Sequence, residues 1–304
     1  MHVLPRTGAF LGRQLLQILI IAFTIFLLLR AVPGDVLDFY AARGDYDAQA
    51  LAALRADLGL DDSLPAQFGA WARAALGGDL GSSMRYGAEV SGMLLTALPT
   101  SLKLAGLSLA VGLAAGIGLA VLAIGRPRLA GMVEVLNVWS IAVPSFCTGV
   151  VGILVFSVWL GWLPIRGQWL LPVLILGADI AGQIAKPLYE ELTETTRAGF
   201  VRTATAKGLS RGRIVWRHIL PNSLSVAIAL SGIILGGLIG GTLTMEALFA
   251  LPGLGSLTLE AIRGRDYPVI QAAIMAMATF VVLVNIASMA LQRWLDPRRA
   301  HAPG

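Results

Sequence analysis

No charged residue interrupts residues 223–245, and none interrupts residues 269–291. A helix needs about 20 residues to cross the hydrocarbon core of a bilayer, at a rise of about 1.5 Å each. Each of these runs is long enough. Backbone groups in lipid must be paired within their own element, which leaves helices or a closed barrel. Barrel strands read as about ten alternating residues, and these runs are neither short nor alternating. Composition agrees: of 304 residues only 13% are charged and 56% are hydrophobic. A soluble domain carries about 25% charged residues, so a globule built from this chain could not cover itself with polar side chains. The expected class is an all-α membrane protein, and an ordinary cytosolic enzyme is excluded.

Hydropathy marks six segments, at about 14–29, 104–124, 135–163, 169–185, 223–245 and 269–291. The first is slightly short unless Arg13 snorkels. It lacks a small-x-small site before Pro33, so it reads as a retained helix rather than a cleaved leader. The third is long and contains Pro144, where a bend is expected. Lys and Arg alternate between the two sides of these segments. One side holds Arg6, Arg13, Arg126, Arg128, the 186–218 loop and the basic tail (Arg293, Arg298, Arg299). The other side holds the 31–99 loop, with nine acids against four bases. Positive charge marks the cytoplasmic face, which places both termini in the cytoplasm and residues 31–99 outside. Within 31–99, the stretches 48–58 and 64–76 have helical spacing and predict two short amphipathic helices at the outer surface.

The chemistry-bearing motifs are mostly missing. The three lysines are followed by Leu104, Pro187 and Gly208, so no phosphate-cradling Gly-Lys-Ser/Thr loop exists. His2, His218 and His301 stand apart from one another, and no metal site is expected. There is no G-x-S-x-G elbow. Cys147 is the single cysteine, which excludes an internal disulfide; it reads as a small packing residue or a soft metal ligand. Among carboxylates, Asp179 alone lies deep within a segment, with Glu246 and Lys103 at segment ends. A carrier driven by an ion gradient usually needs more buried charge than this, although a self-powered secondary carrier is the alternative reading. A membrane-embedded enzyme would need a clustered site that the sequence does not contain.

The 186–221 segment is the informative one. It reads as a short helix up to Lys207, a break at Gly208 in the left-handed conformation, and a second short helix over 210–220 capped by Ser210. Ala204 and Ala206 would let another surface approach closely, and the bases could meet an acidic partner. On composition alone, a loop that merely sets topology explains the charge equally well.

Arg202-Thr203-Ala204-Thr205-Ala206-Lys207-Gly208 resembles the R-T-A-x-A-K-G form of the so-called EAA loop of binding-protein-dependent ABC importer permeases, in their dipeptide, oligopeptide and nickel branch. The likeness extends along the chain. Residues 29–35 (LRAVPGD), 58–61 (LGLD), 78–81 (GDLG) and 98–102 (LPTSL) are similar to motifs of that branch. So are 144–146 (PSF), 161–164 (GWLP), 252–255 (PGLG), 265–268 (RDYP) and 295–298 (LDPR), in family order. Two departures stand out. Arg202 occupies the place of a glutamate in the wider superfamily, and Leu188-Tyr189-Glu190-Glu191 replaces a T-R-A-S stretch.

The resemblance implies a single permease domain over 1–304, with six transmembrane helices in the type I importer fold and a cytoplasmic coupling loop. It implies a bacterial inner-membrane location and a cargo of peptides, or of nickel or a metal chelate. A second homologous permease, two ATPase subunits, an external solute-binding protein and membrane lipid are the implied partners; nucleic acid is not. This chain would bind no cofactor and catalyse nothing, with ATP and Mg held by the ATPases. Arg202, Thr203, Ala204, Ala206, Lys207, Gly208, Leu209 and Arg213 would contact them. Pro144, Ser145, Asp179 and Glu246 are candidates for the pathway or its gate. Each keeps a structural alternative: a bend at Pro144, a Gln183 partner for Asp179, a cap on the Pro252-Gly253 turn for Glu246.

Overall fold

The structure, a computed structural model, describes residues 4–31, 37, 41, 44, 47–57 and 60–295. Parts of the motifs at 29–35, 58–61 and 295–298, and the tail bases Arg298 and Arg299, lie outside the described residues. Among the described residues the regular structure is helical, with one isolated antiparallel bridge between Ser82 and Glu89.

Helix α1 (Leu4–Ala31) carries the first apolar segment, and Gly12–Ala31 within it is long enough to span. The two short helices expected in the following loop are α2 (Ala48–Asp57) and α3 (Leu64–Leu76). Helix α4 (Val90–Ala123) contains the second segment. The third segment breaks where proline requires it. Helix α5 (Pro127–Ala142) stops, and α6 (Ser145–Gly152) starts after Pro144 and continues as a wide π turn over Ile153–Trp159. The two limbs are bent by 100°. Pro144 cannot donate into the preceding turn, and its carbonyl starts the new helix by accepting Cys147 N–H at 2.9 Å.

Helix α7 (Leu170–Thr195) carries the fourth segment, and short helices α8 (Gly199–Ala206) and α9 (Arg211–Ile214) follow. Helix α10 (Leu220–Phe249) carries the fifth, then come α11 (Leu254–Gly264) and α12 (Tyr267–Leu295). Among the described residues, five helices are long and apolar enough to cross a membrane alone. With the α5–α6 pair these account for all six segments. A second bent pair, Gly240–Phe249 with Leu254–Gly264 at 76°, overlaps the end of the fifth segment and has no counterpart in the hydropathy reading.

The chain divides into two compact units, Met1–Leu98 with Leu257–Val282, and Pro99–Ser256 with Leu283–Gly304. In the second unit α7 is the central helix. Its buried residues Leu176, Ile180, Ile184, Leu188 and Leu192 form one stripe at helical spacing. Missing side chains let its neighbours come close, as helix packing in membranes favours. A Cβ on Gly112 of α4 would meet Ile180 at 2.5 Å, and one on Gly182 would meet the Leu136 carbonyl of α5 at 2.5 Å. Asn137 Nδ2 donates to the Gly182 carbonyl at 3.1 Å across the same contact. Nearby, Lys186 pairs with Glu134 and Glu190.

In the first unit, Phe23 and Phe26 of α1 meet the Phe68 ring of α3 edge-on, at centroid distances of 5.1 and 5.5 Å. Trp71 extends the cluster. Beyond α3, the 79–89 segment is tied down by Asp266, a buried carboxylate between α11 and α12. It accepts from Ser83 Oγ, Met84 N–H and Arg85 N–H.

Candidate coupling and gating sites

Helix α8 ends in a Schellman closure. Gly208 N–H reaches the Thr205 carbonyl at 2.9 Å, Leu209 N–H reaches the Ala204 carbonyl at 3.3 Å, and Gly208 stands at φ +75°. This is the left-handed position that glycine fills without a Cβ penalty. A Cβ there would meet nothing within 4 Å, so the backbone conformation, not crowding, selects glycine.

The next element departs from the sequence expectation in two ways. Ser210 has the extended backbone of an N-cap (φ −65°, ψ 146°), yet its side chain makes no capping hydrogen bond. The second helix expected over 210–220 is not separate. Helix α9 runs through a π turn at Val215–Ile219 directly into α10, and Arg211–Leu238 forms one candidate span. Pro221 supplies the reason: it has no N–H for the Arg217 carbonyl, and a widened turn absorbs that gap.

Arg202, Thr203, Ala206, Lys207 and Arg213 are exposed, whereas Leu209 is half-buried against the core. Ala204 is turned inward at 7% exposure, so of the two alanines only Ala206 lies on the outward surface. Sequence reasoning missed two exposed apolar side chains beside these bases, Phe200 and Trp216. It also missed Arg211, whose guanidinium lies against Gly125 (φ +69°) in the α4–α5 turn, where a Cβ would overlap it.

At the other candidate site Glu246 is fully buried. Its Oε2 accepts Gly255 N–H at 2.7 Å and Ser256 N–H at 3.4 Å, in the first turn of α11. A carboxylate there complements the helix dipole and occupies amides that have no partner inside the helix. Ser101 of α4 lies at the same corner and accepts Leu254 N–H at 2.8 Å. Gly253 and Gly255 make room, since a Cβ on either would collide with Glu246. The chain between the helices reverses at Ala250, left-handed at φ 52°, and Leu251 N–H returns to the Glu246 carbonyl at 2.8 Å. Glu246 therefore caps α11 and holds the 76° break.

Asp179 is half-buried on α7, one turn before Gln183. Pro144 and Ser145 open α6. No hydrogen bond or ion pair joins Asp179, Ser145 and Glu246 to one another among the described residues, and no group of three His, Cys, Asp or Glu side chains suited to a metal forms among them.

Residues 108–301, which include the Gly208 closure and the Glu246 cap, match the family described as binding-protein-dependent transport system inner membrane component. The chain belongs to this family. Whole-length relatives agree. The chain is 34% identical over 301 residues to a Brucella suis biovar 1 protein carrying a provisional peptide-permease name, covering 93% of this chain and 94% of that protein. It is 35% identical over 289 residues to the glutathione transport system permease protein GsiC of Pectobacterium atrosepticum, covering 92% and 94%. In fold it is similar to the solved MetNI methionine ABC transporter in an inward-facing conformation. That likeness has a TM-score of 0.57 at 22% identity, over 67% of this chain and 96% of the solved one.

The protein is thus a multi-pass inner-membrane permease of a binding-protein-dependent ABC importer, with the type I permease fold. In this permease the candidate coupling residues share one short stretch between α7 and α10. The candidate gate residues are distributed over three helices.

Proposed function

We propose that this permease forms half of a peptide-translocating pathway and transmits ATP-driven motion through the α8–Gly208–α9 element. The observation that carries this reading is the element's construction. A glycine-terminated helix presents Phe200, Arg202 and Lys207 outward, the π turn after α9 presents Trp216, and Ala204 and Leu209 fix the element to the core. Because α9 is continuous with α10, a push on the loop is delivered straight into a spanning helix. That gives the two-state rocking of an importer a mechanical input.

In this reading a second homologous permease completes the pathway, and two ATPase subunits bind ATP and Mg and dock on the loop. An external binding protein delivers cargo to the 31–99 and 246–268 surfaces. Both termini are cytoplasmic, and no covalent chemistry occurs in this chain. Peptides are favoured over nickel because the similar proteins carry peptide- and glutathione-permease names. A secondary carrier would move cargo without ATPase subunits.

The test is transport by proteoliposomes holding the four-subunit complex, with the binding protein and a mixed di- to pentapeptide pool outside. ATP-dependent peptide accumulation that vanishes without the ATPases is the expected result. Accumulation driven by an ion gradient alone would overturn the reading.

A further inference from the structure

Lys103 stands in α4 at the outer edge of the apolar 104–124 run, and its side chain is exposed. Its Nζ sits 4.6 Å from the centroid of the Trp169 ring. Among the described residues no carboxylate pairs with it, and the Trp169 ring is its contact.

The face around it is unusual for a helix that meets lipid. Pro99, Gly106, Ala110 and Ala114 are exposed alongside it; at 3.6 residues per turn these five positions fall within a sector about 80° wide. Exposed leucines, Leu102 and Leu107, flank the sector on either side. A Cβ on Gly106 would meet nothing within 4 Å. Lysine at the rim of an apolar run can snorkel to water, but lipid-facing surfaces have no need of small residues, which mark faces packed closely on protein. This sector therefore faces protein or a water-filled passage.

Trp169 is half-buried against the core. On one side of it Gln168 is buried and accepts Leu171 N–H at 3.0 Å. On the other, Gly167 N–H donates to the Phe249 carbonyl at 2.8 Å, at the end of α10. A cation over such a ring is oriented without being neutralised, so its hydrogen-bonding capacity stays available to an anion.

We propose that Lys103, seated on Trp169, is a cargo-binding residue of the pathway that recognises a carboxylate of the peptide. The proposal rests on the peptide reading above. Every free peptide ends in a carboxylate, and Lys supplies one strong charge-assisted hydrogen bond to it. A single contact of this kind discriminates while still permitting release.

The experiment uses the reconstituted importer with two probes, trialanine and trialanine amide. The binding protein's affinity for each is measured separately by calorimetry, so that transport is compared at equal loading. Wild type should move the free acid faster than the amide by about tenfold, the scale of one charge-assisted bond. Lys103→Met should lower the free-acid rate to that of the amide and leave the amide rate unchanged. Lys103→Arg should retain the preference, and Lys103→Glu should reverse it. Equal losses for both peptides, or a complex that no longer assembles, would mean that Lys103 pairs with an acid of the second permease. No change in either rate would make Lys103 an interfacial anchor only. Either result overturns the proposal. If wild type carries neither peptide while its ATPase responds to the binding protein, the peptide reading itself fails, and a peptide carboxylate fails with it.

Discussion

Ser83 donates its hydroxyl at 2.5 Å to Asp266, a residue 183 positions later in the chain, and the contact is buried. The same carboxylate accepts Met84 N–H at 3.1 Å and Arg85 N–H at 3.3 Å. One side chain thus fixes the 79–89 segment to the corner between α11 and α12. Each buried donor left without an acceptor costs about 1–3 kcal/mol. Asp266→Ala should therefore destabilise the permease by about 3 kcal/mol or more, and Asp266→Asn by less because one carbonyl oxygen remains. Thermal unfolding of the purified complex measures the first effect. Proteolysis of the 79–89 segment in Asp266→Ala locates it.

Glu246 and its glycines should behave as one unit. Glu246→Ala leaves the Gly255 and Ser256 amides without their acceptor, a loss comparable to removing a helix cap, about 1–2 kcal/mol. Gly255→Ala should cost more than a cap, because its Cβ would collide with the Leu243 backbone. Ala250→Gly should be neutral or stabilising by up to about 1 kcal/mol, since it relieves a left-handed alanine. Unfolding midpoints for the three variants check the order. A stabilised Gly255→Ala would contradict the packing described here.

Helix α7 should tolerate no side chain at Gly182. Gly182→Ala must move the Leu136 carbonyl and Ser140, and forced overpacking costs about 1–3 kcal/mol. Gly131→Ala in α5 is the control: nothing lies within 4 Å of its Cβ position, and alanine favours a helix interior by about 0.5–1 kcal/mol. Gly182→Ala should unfold earlier than wild type and Gly131→Ala no earlier.

Orientation can be read with single cysteines in a Cys147→Ala background. Asp62 precedes α3 and Thr205 lies on α8, and both are exposed. A membrane-impermeant maleimide added to intact spheroplasts should label Asp62→Cys and spare Thr205→Cys until the membrane is opened. The opposite pattern would invert the topology.

Much of this architecture can be read from local sequence because local chemistry dictates it. Uncharged runs specify the spanning helices, Pro144 specifies the break between α5 and α6, and Gly208 specifies a left-handed helix end. The merger of α9 with α10 is not legible. Pro221 reads as a helix boundary, and only the π turn at Val215–Ile219 lets the helix pass through it. The left-handed Ala250 and Arg265 are equally hidden, since neither is glycine. Their conformations are imposed by contacts such as Leu251 N–H to the Glu246 carbonyl and Asp266 N–H to the Ala261 carbonyl. The candidate coupling loop is visible as a motif, but the inward turn of Ala204 and the seat of Arg211 on Gly125 depend on packing that no local pattern encodes. Lys103 and Trp169 lie far apart in sequence and carry no shared signal.

Gly208→Val tests the central claim most directly. It forces a β-branched residue into the left-handed region, where L-residues are disfavoured by about 1–2 kcal/mol or more, and it touches no spanning segment. In the reconstituted four-subunit complex, insertion, assembly and the basal ATPase of the nucleotide-binding subunits should persist. Transport, and the stimulation of ATP hydrolysis by loaded binding protein, should be lost. Transport by Gly208→Val at the wild-type rate would contradict the coupling role and leave the loop as a determinant of topology alone.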